Sequence, residues 1–243
     1  MNAAAASEQV LSREDWLMRR VDLLNEEKAL SKATAALAEK RRHLGMVLVP
    51  DYRLDGPDGP TTLSLLFGES EQLIVYHLMM NDTAKMPCPT CSFFIDGFQG
   101  GIEHLLPLSA FAVVAKASYT SIQEGCSEKG WENIPMYSAK ESLFGEDLGV
   151  SFTSEQDATN NRPYNYGRQW AWGQEGPGLS VFKKDMTSGA IYHTYSTYAA
   201  GLGGLSVVFS LLDLTPGGRS EENGRNMWWV KHKQQYTSHT TSK

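Results

Sequence analysis

Gln72-Leu73-Ile74-Val75-Tyr76-His77-Leu78, followed after a loop through Pro87 by Cys88-Pro89-Thr90-Cys91, is the stretch on which the fold turns. The first part is a compact apolar run, the pattern of a central strand buried on both faces. The second part opens a helix expected from Cys88 to about Leu106, with Pro89 at its first position, where a missing N–H costs nothing. The free amides of Thr90 and Cys91 then point at the Cys88 sulfur, and the helix dipole favours its thiolate. Such a setting lowers a cysteine pKa from about 8.5 into the range of roughly 3.5 to 7.5. Cys91, one turn on, is placed to attack a mixed disulfide on Cys88. The chemical reading makes Cys88 the nucleophile and Cys91 the resolving thiol. The plain alternative is two small packing residues at a helix start.

Working outward, Phe111 to Ala115 reads as a second buried strand, Ser118 to about Lys129 as a helix and Ile134 to Tyr137 as a short edge strand. Leu179 to Lys183 and Ala190 to Tyr195 read as two strands of a hairpin, and Leu205 to Leu214 as a closing helix stopped by Pro216. Pro177, in Gly176-Pro177-Gly178, cannot donate to a ladder and so belongs at a strand entry. Strand–helix alternation implies parallel pairs with right-handed crossovers, and the hairpin adds antiparallel strands at one side. The fold class is therefore α/β, a mixed sheet flanked by helices.

Upstream, residues 13–44 lack Gly and Pro, and Trp16, Leu23, Leu30, Leu37 and Leu44 recur every seven residues, with Leu17 and Leu24 beside them. This is a long amphipathic helix with Ser12 and Asp15 set as N-cap and N3 partner. Arg20, Glu27 and Arg41 interrupt its seam, which argues against a free-standing coiled coil and for an arm packed on its own domain or on a second subunit. Asp55-Gly56-Pro57-Asp58-Gly59-Pro60 stacks turn residues too densely for a regular element. The expected organisation is a helical arm over 1–44, one domain over 45–230 with an insert of about 145–176, and a mobile tail over 231–243.

Composition narrows the function classes. The chain has 243 residues, and 22 basic against 28 acidic side chains leave a net charge of −6, which disfavours nucleic acid and anionic membranes as partners. No run approaches the roughly 20 apolar residues of a membrane span, and no secretory leader precedes the first charged residues, so a cytoplasmic location is expected. Three cysteines are too few, and odd in number, for a disulfide-stapled fold. A second C-x-x-C or an H-x3-H that would complete a zinc site is missing, so the Cys88/Cys91 spacing leans towards redox chemistry. There is no phosphate loop, dinucleotide fingerprint, serine elbow or H-E-x-x-H.

Further side chains are weighed against bland alternatives. Tyr164, Tyr166, Arg168, Trp170 and Trp172 in the insert suit either a pocket for a small anionic or planar substrate or a self-packed aromatic core. His77, ending the central strand, and His193, in the hairpin's second strand, are expected either near Cys88, as acid, base or metal ligand, or as hydrogen-bonded structure. Cys126 has no sequence partner and reads as an incidental thiol.

The strand Leu73–His77, the dithiol Cys88–Cys91 and Pro177 leading a strand and hairpin resemble the thioredoxin-like fold. Ser12-Arg13-Glu14-Asp15-Trp16, Gly56-Pro57-Asp58-Gly59, Leu73–His77, Cys88-Pro89-Thr90-Cys91-Ser92-Phe93-Phe94, Tyr164-Asn165-Tyr166, Gly178–Phe182, His193–Ala199 and Leu211–Pro216 resemble, more specifically, the thioredoxin-like family catalogued as domain of unknown function 899. The thioredoxin resemblance implies dithiol chemistry on Cys88 and Cys91, with a cis-proline at Pro177 facing them and presenting backbone to the substrate. The sequence departs from ordinary thioredoxin in its longer strand-to-cysteine loop, as in peroxiredoxins, in lacking a Gly-Pro centre and in carrying the insert. The expected function is a thiol–disulfide oxidoreductase or thiol peroxidase, without a required cofactor, acting on a thiol, disulfide, peroxide or other small-molecule or protein substrate and regenerated by a cellular reductant. One alternative is a copper protein using Cys88, Cys91 and His193 or His77, since some thioredoxin-like proteins bind copper through two cysteines and a histidine. Another is a non-catalytic scaffold, with a homodimer through the N-terminal helix.

Overall fold

A computed structural model describes residues 9–221 and 226–236. The chain divides into two compact units, one ending and the other beginning between Gly45 and Met46. The first is helix α1, Arg13–Arg42. Ser12 caps it as its sequence predicts, its hydroxyl accepting the Asp15 amide at 3.1 Å and donating to the Asp15 carboxylate at 2.7 Å. No residue of α1 is buried, and its heptad residues from Trp16 to Leu44 stay 45–68 % exposed.

The second unit is built on strands β1 (Val47–Val49), β2 (Arg53–Gly56), β3 (Gly59–Thr62) and β4 (Gln72–Leu78), then helices α2 (Pro89–Gln99) and α3 (Ile102–Leu105). Strand β5 (Ala110–Ala115), helix α4 (Tyr119–Cys126), strand β6 (Met136–Ser138) and the short helices α5 (Phe144–Asp147) and α6 (Ser154–Ala158) follow. A two-stranded ribbon, β7 (Pro163–Tyr164) and β8 (Arg168–Gln169), precedes β9 (Gly178–Lys184), β10 (Ile191–Tyr198) and α7 (Val207–Leu212). One sheet takes the order β1-β10-β9-β4-β5-β6-β2-β3. Strands β4, β5 and β6 run parallel, while β9 is antiparallel to β4 and β10 to β9.

Alternation along the central strands divides the core. Leu73 and Val75 of β4, Ala112 and Val114 of β5 and Phe182 of β9 pack on one face with Phe144, Tyr164 and Tyr198. Tyr76 and Leu78, Phe111 and Val113, and Leu179 pack on the other with Cys91, Phe94 and Ile95 of α2. Both faces are covered, which is why β4 reads as a continuous apolar run. Fully burying each such side chain contributes about 1.5–3 kcal/mol.

Several boundaries differ from the sequence expectation, each for a local reason. The helix expected from Cys88 to Leu106 breaks at Gly100-Gly101 into α2 and α3, since paired glycines cost most in a helix interior. The turn-dense Asp55–Pro60 segment does hold regular structure, a β2–β3 hairpin turning over Pro57-Asp58 with Gly59 at φ +96°. Pro60 is tolerated there because β3 is a sheet edge, and β6 is not an edge because β2 pairs with it. The closing helix is shorter, starting after a 3-10 turn over Ala199–Leu205. In the tail expected to be mobile from Lys231, His232 is buried and leads a 3-10 turn over Lys233–Gln235, while Lys231 and residues 233–236 are exposed; residues 237–243 lie outside the described residues. No helix among the described residues is long and apolar enough to cross a membrane.

Candidate active site around Cys88

Helix α2 carries the site, and an aromatic stack holds it in place. Tyr76 of β4 meets Phe94 at 6.3 Å and Phe98 at 5.4 Å between ring centroids, and Phe98 meets Phe111 of β5 at 5.6 Å. Pairs of this kind add about 0.5–1.5 kcal/mol each beyond area burial. The start of α2 is tied to the end of β4 by the Cys88 amide, which donates to the Met79 carbonyl at 3.1 Å.

Cys88 is the N-cap residue with Pro89 directly after it, the arrangement the sequence predicts. Its half-buried sulfur lies 3.1 Å from the Thr90 hydroxyl. Donation by the Cys91 thiol, then by the Thr90 hydroxyl and by the Cys91 and Thr90 amides, outweighs burial and holds the Cys88 thiol down to about 5. Cys91 is buried, and burial together with the adjacent Cys88 charge pushes its thiol well up. One residue is thus a thiolate at neutral pH and the other a thiol, both unbonded to any second sulfur. The Met79 amide donates to Cys91, and the buried Tyr76 hydroxyl lies towards the same sulfur without completing a hydrogen bond among the described residues.

Pro177 stands immediately before β9, as expected of a strand-entry proline. There is no cis peptide bond among the described residues, so the cis-proline implied by resemblance is corrected to a trans one. The Pro177 carbonyl accepts the Tyr164 hydroxyl, which itself accepts the Ala199 amide at 3.0 Å. The neighbouring glycines are required by close approach. A Cβ on Gly176 would sit 2.5 Å from the Tyr164 ring, and one on Gly178 2.8 Å from Tyr198.

The insert is more core than pocket. Tyr164 is buried, packed on Trp170 at 4.9 Å and Tyr198 at 5.4 Å, and burial pushes its hydroxyl well up. Tyr166 and Trp172 are each 76 % exposed and Arg168 is exposed, so these five residues do not converge as the walls of one pocket. Cys126 is buried at the end of α4, and burial pushes its thiol up to about 11.

The histidines are on the other side of the sheet. His77 Nε2 is 2.8 Å from the Ser180 hydroxyl, which is 2.7 Å from that of Ser196, which is 2.7 Å from His193 Nε2. His77 packs on Phe144 and His193 on Phe182, both in the core cluster opposite the dithiol. The expectation that either histidine flanks Cys88 is corrected, because alternation along β4 sends Tyr76 and His77 to opposite faces. Among the described residues, no three His, Cys, Asp or Glu side chains group as a metal site.

Sequence reasoning missed Glu175. It is buried, its carboxylate accepts the Met80 amide, and burial followed by the nearby Cys88 charge pushes it up to about 7. A carboxylate two residues before a strand-entry proline is a faint signal, since its burial comes from a bridge to Ser151 across the insert.

A central strand parallel to the next and antiparallel to a following hairpin, with a C-x-x-C at the start of the first crossover helix, defines a thioredoxin-like fold. The chain belongs to the family of bacterial proteins of unknown function DUF899, which matches residues 5–236. Similar solved structures include peroxidoxin BcpB from Mycobacterium tuberculosis, 13 % identical over 64 % of this chain and 85 % of that one, with a TM-score of 0.44. The bacterioferritin comigratory protein of Xanthomonas campestris is 17 % identical over 69 % and 96 %, TM-score 0.43. Reduced Prx3 from Vibrio vulnificus, solved in complex with hydrogen peroxide, is 12 % identical over 63 % and 83 %, TM-score 0.43. At these scores the fold assignment rests on the strand order. Comparison with curated proteins finds no match.

Proposed function

We propose that the protein is a dithiol redox enzyme, a thiol–disulfide oxidoreductase or thiol peroxidase, with Cys88 as nucleophile and Cys91 as resolving thiol. One observation carries this reading: a half-buried sulfur at a helix N-terminus with its pKa held to about 5, directly beside a buried thiol pushed the other way. Cys88 thiolate attacks one sulfur of a disulfide, or one oxygen of a peroxide, and the far half departs. Cys91 then attacks Cys88, releasing the bound thiol or, from the sulfenic acid, water, and leaving a Cys88–Cys91 disulfide for a cellular reductant. None of these steps calls for a cofactor. Pro177 and Tyr164, joined by a hydrogen bond, are the substrate-side residues of this reading. The copper alternative gains no support from the positions of His77 and His193.

Alkylation and mass spectrometry across glutathione-poised buffers test it. The expected result is a reversible two-electron Cys88–Cys91 midpoint between about −320 and −180 mV. Cys91→Ser should trap a mixed disulfide on Cys88 and Cys88→Ser should trap none. A pair that never forms a disulfide, or that alkylates only after a chelator is added, overturns the reading.

A further inference from the structure

At the C-terminal ends of β4 and β5 a small cavity is lined by His77, Lys116, Ser151 and Glu175, among others. Its free volume of about 10 Å³ approaches what one water needs. Glu175 is 9 % exposed, held there by the Ser151 bridge and by the Gly176 amide donating to the Val150 carbonyl at 2.8 Å. One carboxylate oxygen, Oε1, has no hydrogen-bond partner among the described residues. The cation lining the cavity, Lys116, spends its ammonium on Glu146 at 3.2 Å and on the Ser142 carbonyl at 3.3 Å. Cys88 is held at the same exit of β4, since the Glu175 carboxylate accepts the Met80 amide and the Cys88 amide donates to the adjacent Met79 carbonyl at 3.1 Å. His77 lines the cavity from β4, and burial pushes it down to about 3 and so keeps it neutral. A buried carboxyl without an ion-pair partner and with a spare oxygen is disfavoured as an anion, and burial pushes it up to about 7 although the Met80 amide and the Lys116 charge pull it down.

We propose that Glu175 is the general acid that protonates the group expelled from the substrate when Cys88 attacks. The proposal rests on the dithiol reading and deepens it. With an alkyl disulfide, the Cys88 sulfur forms a bond to the near substrate sulfur and the substrate S–S bond breaks. The departing thiolate takes the Glu175 proton and leaves as a thiol, while Glu175 becomes a carboxylate that solvent later reprotonates. The timing follows from charge. Before attack, the Cys88 thiolate helps keep the proton on Glu175; in the mixed disulfide that negative charge is gone and the proton is released more readily.

The full-length reduced chain tests this with two probes that differ in leaving group. The thiolate expelled from bis-hydroxyethyl disulfide is strongly basic and needs a proton, whereas the one expelled from dithiobis-nitrobenzoate is weakly basic and departs as the anion. Glu175→Gln should lower the rate with the alkyl disulfide relative to the aromatic one by roughly 100-fold, the scale of general acid catalysis. The wild-type alkyl rate should rise through about pH 5 as Cys88 ionises and fall through about pH 7 as Glu175 does, and Glu175→Gln should lack the fall. Glu175→Asp, which keeps a carboxyl, should restore part of that limb. An unchanged ratio of the two rates in Glu175→Gln overturns the proposal, since loss of packing slows both probes alike. Wild-type protein inert towards both probes overturns the dithiol reading itself, a different result.

Discussion

The two faces of the central sheet treat buried polar groups in opposite ways. On the α2 face, Cys88 is half-buried and its charge is met by donors from Thr90 and Cys91, while the Tyr76 hydroxyl beside them has no hydrogen-bonded partner among the described residues. On the opposite face, His77, Ser180, Ser196 and His193 close a continuous run of hydrogen bonds. Both faces hold a group far from its ordinary pKa, Cys88 near 5 and His77 near 3. The causes differ in kind. Donors stabilise the charged, reactive form of Cys88, whereas burial first, and then the neighbouring His193, removes the charged form of His77. A perturbed pKa marks chemistry only when the favoured form is the reactive one and solvent or substrate can reach it.

Four changes break or sharpen this contrast. Cys88→Ser should abolish turnover of disulfide or peroxide and leave the thermal midpoint nearly unchanged; retained turnover would put the chemistry elsewhere. Next in size is the acid sensitivity of the histidine face. Because His77 is about 3 when folded and 6.5 when unfolded, the unfolded chain binds the extra proton between those values. The stability tied to neutral His77 is complete above about pH 6.5 and is lost as pH falls towards 3, by roughly 5 kcal/mol at most. Denaturant melts from pH 7 to 4 should show this slope, and His77→Gln should flatten it.

Thr90→Val removes a donor to a charged sulfur, an interaction worth about 1.5–3 kcal/mol. Iodoacetamide labelling of Cys88, with a midpoint near pH 5 in the wild type, should shift upward by one pH unit or more; an unmoved midpoint would assign the depression to Cys91 and the amides alone. The smallest effect is expected for Ser180→Ala, which leaves the buried His77 Nε2 without its partner at a cost of about 1–3 kcal/mol in stability, while Ser196 keeps His193. The Cys88 labelling profile should not move with it. If it did, the two faces would be coupled and the histidine run would belong to the site.

Much of the α2 face was legible in the sequence. The order strand, loop, Cys-Pro-x-Cys and helix is local, and proline, dipole and spacing act within one turn of Cys88. Ser12 and Asp15 were legible for the same reason, because a helix cap is built from neighbours. The Asp55–Pro60 hairpin was missed, since its turn residues are compatible with a loop until β6 supplies a strand for β2 to pair with. The insert residues Tyr164 to Trp172 were named as a group because they are adjacent in sequence. In space they part, since β7 and β8 form a ribbon that buries Tyr164 and exposes Tyr166 and Arg168.

The sequence by itself determined the setting of the proposed nucleophile, because the groups that lower the Cys88 thiol lie between residues 88 and 91. Only the tertiary structure decided what surrounds it. Whether Tyr76 or His77 faces the dithiol depends on which side of β4 the helix α2 covers, and a one-residue step along a strand reverses that answer. Glu175 reaches the site through the insert and a bridge to Ser151, contacts that no spacing rule in the chain encodes. Its raised pKa comes from burial without an ion pair, a property of the folded cavity rather than of any motif.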